Sequence, residues 1–186
     1  MVKEKTDVEL YREFLLGNKE AFEEIVLRYK DKLIYFIARY VKTIEIAEDL
    51  AQDTFVYVLV NKKEYDFKYS LKTYLYTIAK CRAWNYLKRE KKIVRLTDEY
   101  YDMQDIEEEI FQKETIESLK ENIKKLKPEY QSAIYLADLE DLSYKEISKI
   151  LDKSMPQVKV LIHRARKALQ KITRREEIPY EEWERI

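Results

Sequence analysis

The chain has 186 residues but only one glycine, three prolines, one cysteine and one histidine. Each scarcity excludes something. Tight β-turns draw heavily on glycine, so a single glycine argues against a sheet protein and for an all-α one. Cys81 has no second cysteine to pair with, which suits a reducing cytoplasm. One His and one Cys give little material for a zinc site, so no metal and no other cofactor is expected. The sequence also lacks a glycine-rich phosphate loop and a recognisable nucleophile–base set, and no catalysis is expected of it. No apolar run approaches the roughly 18 residues of a membrane span. The opening MVKEKTDVELY lacks the apolar centre of a signal peptide, so membrane insertion is not expected either.

What is present is charge and apolar periodicity. Hydrophobic residues make up 46% and charged residues 39%, with a net charge of zero. The zero hides a partition. Residues 1–97 hold 20 Lys and Arg against 15 Asp and Glu, and 98–123 hold 2 against 10. Residues 124–175 hold 13 against 6, and 176–186 hold 1 against 5. A single basic block would read as a solvated helix face. Two basic blocks joined by an acidic one fit a polyanion-binding pair better. The expected organisation is two small helical domains: a first over 1–95, an acidic linker over 96–112, a helix-turn-helix domain over 113–175 and an acidic tail over 176–186.

Helix signals recur along the chain. Thr6 and Glu9 fit a capping box, and Asn18 after Gly17 fits the next cap. Phe22, Ile25, Tyr29, Leu33, Phe36 and Tyr40 recur at spacings of three and four, a helical core stripe. After a break near Thr43, Ala47, Leu50, Ala51, Thr54 and Val58 fall on one side of a helix, and Asp49, Gln52 and Asp53 share another. A polar connection leads to a helix over about 71–92. Residues 96–112 show no clean period. Helices are then expected around 113–126 and 128–139, with Pro128 in a first turn. Ser143 with Glu146 and Ser154 with Gln157 form two further capping boxes. They open a short helix ending at Leu151 and a long one after about three residues, the spacing of a helix-turn-helix.

On that last helix Val158, Leu161, Ile162, Ala165 and Leu169 cover one side, while Val160, His163 and Lys167 centre the other. The bases therefore lie away from the core, as in a helix that enters a major groove. Early residues of such a helix reach base edges and later bases meet phosphates. Gln157, Lys159 and His163 are the candidate readers, and Arg164, Arg166 and Lys167 the candidate anchors. A wet basic face on an amphipathic helix is the competing reading. Residues 80–95 add a second basic segment, with Lys80, Arg82, Lys88, Arg89, Lys91, Lys92 and Arg95 against Glu90 alone. Tyr74, Tyr76, Trp84 and Tyr86 lie in or just before it. Bases neutralise phosphates and aromatics stack on unpaired bases. Core packing is the alternative for each aromatic, and Cys81 is expected to be a small buried hydrophobe.

The stretch LSYKEISKIL…V…HRARKAL resembles the −35 reading domain of extracytoplasmic-function (ECF) sigma factors. Ser143, Tyr144, Glu146, Ile147, His163, Arg164, Ala165 and Arg166 match in place. Asp152 stands where the family usually has Gly; Pro156, Gln157, Val160 and Leu161 depart from positions often Gly, Thr, Ser and Arg. Upstream, GNKEAFEEIVLRYKDKLIYFIARYV, AEDLAQDTF and YLYTIAKCRAWNYLKR look like the polymerase-binding and promoter-melting helices of the same family, in the same order. The likeness spans roughly residues 17–92 and 120–170.

The resemblance implies an alternative sigma factor rather than a stand-alone regulator or a helical adaptor. It implies that Asp49, Gln52, Asp53 and Phe55 meet core RNA polymerase at the β′ clamp, Phe55 being core, an interface anchor or, as expected here, both, with a second contact on the β flap. It implies −10 DNA contact by Lys80, Arg82, Trp84, Lys88 and Arg89, and −35 contact by the six residues named on the last helix. Cys81 stands where the family often has Asn. Asp98, Glu99, Asp102, Asp105 and Glu107–Glu109 would mimic a polyanion near template and nascent RNA, or act as a repelling tether. An anti-sigma factor is a further implied partner. The tail, with Tyr180 and Trp183, would dock on a domain or a partner, or stay disordered.

Overall fold

In a computed structural model the described residues are 5–97 and 121–177. Every regular element among them is helical, and the chain divides into two compact units, Met1–Ile106 with Lys149–Leu151, and Glu107–Ser148 with Asp152–Ile186. Among the described residues no helix is long and apolar enough to cross a membrane.

The first unit has four helices. α1 (Asp7–Leu15) opens on a complete capping box, in which Thr6 Oγ1 accepts from the Glu9 amide and Glu9 accepts from the Thr6 amide at 2.8 Å. It ends where Gly17 takes φ +100. A Cβ there would meet nothing within 4 Å, so the backbone angle and not space calls for glycine. Asn18 caps α2 (Lys19–Ile37) by accepting from the Ala21 amide at 3.2 Å. The predicted stripe is the core face. Ile25, Tyr29, Leu33 and Phe36 are buried, with Phe22 and Tyr40 half-buried at its ends. Thr43 caps α3 (Ile44–Val60), and Ser70 caps α4 (Leu71–Thr97) by accepting from the Thr73 amide at 3.2 Å. α2 packs against α1, α3 and α4.

The loop between α3 and α4 is held by aromatics. Tyr11 is fully buried, with Phe14, Tyr65 and Phe67 edge-on at 5.5, 4.7 and 5.9 Å. Such pairs add roughly 0.5–1.5 kcal/mol beyond the area they bury. Tyr11 donates to the Lys62 carbonyl at 3.0 Å and Tyr65 to the Tyr69 carbonyl at 2.8 Å, so both phenols meet acceptors. Burial pushes the Tyr65 and Tyr74 phenols up to about 12.

In the second unit, residues 121–124 are helical, and the earlier part of the helix expected over 113–126 lies outside the described residues. α5 (Pro128–Ile134) starts with Pro128 in its first turn. The run expected to stay α-helical to 139 instead widens into a π-segment over Tyr135–Leu139, where the Glu140 amide donates to the Tyr135 carbonyl at 2.9 Å. One extra residue per turn produces that change, and apolar periodicity does not reveal it. α6 (Tyr144–Leu151) and α7 (Met155–Glu177) complete the unit. Leu126, Ile134 and Ala165 form a core cluster with Ile123, Tyr130, Leu169 and Ile172 packed against it. The acidic residues named in 98–112, and Tyr180 and Trp183, lie outside the described residues.

Candidate nucleic-acid interface

α3 is amphipathic in an unusual way. Ala47, Ala51, Thr54 and Val58 are buried, and the Thr54 hydroxyl donates to its own helix at the Leu50 carbonyl, 2.8 Å away. Asp49, Gln52 and Asp53 stand together on the outer face, all exposed. At helical spacing that face continues through Val56, Leu59 and Val60, which are 50%, 50% and 74% exposed. Phe55, grouped with the acidic stripe from the sequence, points elsewhere. It is 7% exposed and belongs to the core side.

On α4, Leu75, Tyr76, Ala79 and Ala83 turn inwards. Cys81, Trp84, Asn85, Lys88 and Arg89 are exposed, and Lys80, Arg82 and Tyr86 are half-buried. The expectation that Cys81 is buried is therefore wrong. At 100° per residue it lies opposite Tyr76, Ala79 and Ala83, at the centre of the outer face beside Lys88. Asn85 shares that face, and the same helical phase would have found it. Lys88 Nζ lies 5.7 Å over the Trp84 ring, which fixes a base and an aromatic side by side. Arg82 lies apart from this pair, 5.2 Å over Tyr57 of α3, whose hydroxyl donates to Glu64. Of the aromatics flagged in the sequence, Tyr76 is core, edge-on to Phe36 at 5.0 Å, and Tyr74 stacks on Tyr65 at 5.2 Å. Trp84 alone among them is largely exposed, at 47%. The side chains of Lys91, Lys92 and Arg95 lie outside the described ones.

The helix-turn-helix closes on three residues. Ser143 and Glu146 form the full capping box of α6. Asp152 takes φ 54, ψ 52 as the helix ends, a left-handed position that a short polar side chain tolerates. Ser148 Oγ donates to the Lys153 carbonyl at 2.6 Å and braces the turn. Gln157 is committed to the start of α7. Its Oε1 accepts from the Ser154 amide at 2.8 Å, which leaves its amino group for an outside contact. Val158, Leu161, Ile162 and Ala165 are buried; Lys159, Val160, His163, Arg164, Arg166 and Lys167 are exposed. Arg166 is also paired. Its Nε donates to Asp138 Oδ2 at 3.2 Å and its Nη2 to Asp138 Oδ1. The bond to Asp138 raises the guanidinium pKa further above its ordinary value, and Tyr144 adds to the shift.

Residues 25–93 match the family model of Sigma-70 region 2, and 116–169 that of Sigma-70, region 4. The chain is 32% identical over 164 residues to the RNA polymerase sigma factor YlaC of Bacillus subtilis (strain 168), covering 84% of this chain and 94% of that one. It is 30% identical over 168 residues to the ECF RNA polymerase sigma factor SigW of the same organism, covering 83% and 90%. The chain belongs to the ECF sigma factors. As such it is an alternative sigma factor that directs promoter-specific transcription. The fold agrees. Sigma factor RpoE from Bartonella quintana, solved with the anti-sigma factor NepR, superposes with a TM-score of 0.72 at 21% identity, covering 82% of this chain and 96% of that one. CnrH, solved with the cytosolic domain of CnrY, gives 0.63 at 21%, covering 88% and 94%. In this sigma factor the acidic stripe and the Trp84–Lys88 face lie in the region 2 match, and the basic face of α7 in the region 4 match.

Proposed function

We propose a division of labour among three helix faces. Asp49, Gln52 and Asp53 on α3 dock on the β′ clamp of core RNA polymerase, where charge complementarity sets orientation and on-rate. The outer face of α4 holds the melted −10 strand: Trp84 stacks on an unpaired base while Lys80, Lys88 and Arg89 meet phosphates. Arg82, tied to Tyr57, acts from the flank. The first turns of α7 read the −35 element through Lys159, His163 and the free amino group of Gln157, and Arg164, Arg166 and Lys167 anchor on the backbone. The second unit also meets the β flap, and an anti-sigma factor competes for these surfaces. The protein works in the cytoplasm, as part of the polymerase rather than as an enzyme in its own right.

The observation that carries this reading is the exposed Trp84 with Lys88 over its ring. A duplex-binding regulator has no use for an aromatic held ready on a basic helix, and an adaptor has no use for the basic face of α7. The test is reconstituted transcription on genomic DNA with core polymerase and mapped transcript starts. Initiation from a restricted promoter set, only with the protein present, is expected. A chain that fails to co-elute with core polymerase, or gives no promoter-specific starts, is not acting this way.

A further inference from the structure

The π-segment and Arg166 meet at one point. Asp138 lies within Tyr135–Leu139, and both of its carboxylate oxygens accept from Arg166. Tyr144, the first residue of α6, also interacts with that guanidinium. Thus the π-segment, α6 and α7 converge on one arginine that remains 53% exposed, with Asp138 at 36%. An ion pair this open adds little to stability, so bracing the fold is a poor account of it. A π-turn is rare and favours functional positions. Asp138 leaves the helix from within this wider turn, so its phase is not that of an α-helix.

The manner of pairing is informative. Asp138 takes Arg166 side-on, through Nε and Nη2, so the Nη1 corner points away from the carboxylate. A planar guanidinium held in this way is pre-organised, and it loses less freedom when it meets a second acceptor. We propose that Asp138 is a positioning residue for promoter binding, fixing Arg166 so that its remaining edge grips a DNA phosphate beside the −35 element. The inference rests on the reading of α7 as the −35 helix. It carries a sign that simple electrostatics reverses. Removing an acid beside a polyanion should strengthen binding; removing a positioning acid should weaken it.

The test uses the full chain assembled with core polymerase, titrated onto promoter duplex over a range of salt. Asp138→Ala is expected to weaken promoter affinity about three- to tenfold, the loss of an orienting hydrogen-bonded pair. Asp138→Asn keeps one acceptor oxygen and should restore part of the loss. In an Arg166→Ala background, Asp138→Ala should add nothing, and Arg166→Ala alone should flatten the salt dependence by about 0.9 of a log unit. If Arg166→Ala weakens binding while Asp138→Ala strengthens it or leaves it alone, the positioning role is refuted and the anchor stands. If Arg166→Ala itself has no effect in a folded protein, the anchor and its positioning both fail. A drop in thermal midpoint for Asp138→Asn with unchanged affinity of the folded fraction would make the pair a brace only, which also refutes the inference.

Discussion

Trp84→Ala combined with Lys88→Ala is the sharpest perturbation of the proposed melting face. Trp84 is 47% exposed and its neighbour on that face is Lys88, so truncation opens no core cavity. The folded protein should lose no more than the exposed cation–π contact, about 0.5–1 kcal/mol. In the open complex the loss is larger. Unstacking the duplex costs a few kcal/mol per extruded base, and an aromatic stacked on that base returns about 1–3 kcal/mol. Without it, the closed-to-open equilibrium should fall by about five- to 150-fold. Core binding and −35 occupancy precede opening and should stay near wild type. Permanganate reactivity of unpaired thymines reads the opening, and a template with a pre-melted −10 bubble should recover much of the transcription. A folded double variant that opens the duplex as well as wild type would reduce the α4 face to a charged surface. Failure of the bubble to rescue would place Trp84 in packing.

Asp49→Lys with Asp53→Lys leaves every buried residue of α3 in place, so circular dichroism should not change, while affinity for core polymerase falls about tenfold or more in gel filtration or titration. Lys159→Ala should change the ranking of promoter variants. Lys167→Ala should weaken all sequences alike and flatten the salt dependence by about 0.9 of a log unit. Ser143→Ala removes the acceptor for the Glu146 amide and should cost about 1 kcal/mol, seen as a lower thermal midpoint. The Tyr65 and Tyr74 phenols ionise near 12 when folded and near 10.0 when unfolded. The unfolded chain therefore loses these protons first. Their contribution is intact below pH 10 and is lost as pH rises towards 12, so unfolding should track the appearance of tyrosinate absorbance.

Much of this is legible in the sequence because short-range rules govern it. The caps at Thr6, Asn18, Ser143 and Ser154 form as expected, since each needs only a side chain three residues from an amide. The α2 stripe follows from its period. What escapes depends on phase or on distant partners. Residue type alone argues for a buried Cys81, but its helical angle against Ala79 and Ala83 decides its exposure. Tyr76 looks like a base-stacking candidate because it precedes a basic run, and only packing against Phe36 shows it to be core. Residue type leaves Phe55 open as core, interface anchor or both, and its packing puts it on the core side. The π-turn leaves no pattern in the residues, and the Asp138–Arg166 pair joins positions too far apart in the chain for any spacing rule.

Tyr11 bears on how the protein can be cut. The region 2 match begins at residue 25, after α1 has ended. Yet α1 supplies a fully buried tyrosine, and that tyrosine fastens the loop leading into α4 through the Lys62 carbonyl. A fragment trimmed to the matched region would lose Leu10, Tyr11 and Phe14 together and uncover Tyr65 beneath them. Replacing a single large core side chain with alanine already costs about 3–5 kcal/mol, a large share of the stability of a domain this size. In the proposed mechanism the smallest piece able to melt a promoter therefore starts at the Thr6 cap, and the proposed melting face on α4 depends on a helix that never approaches DNA.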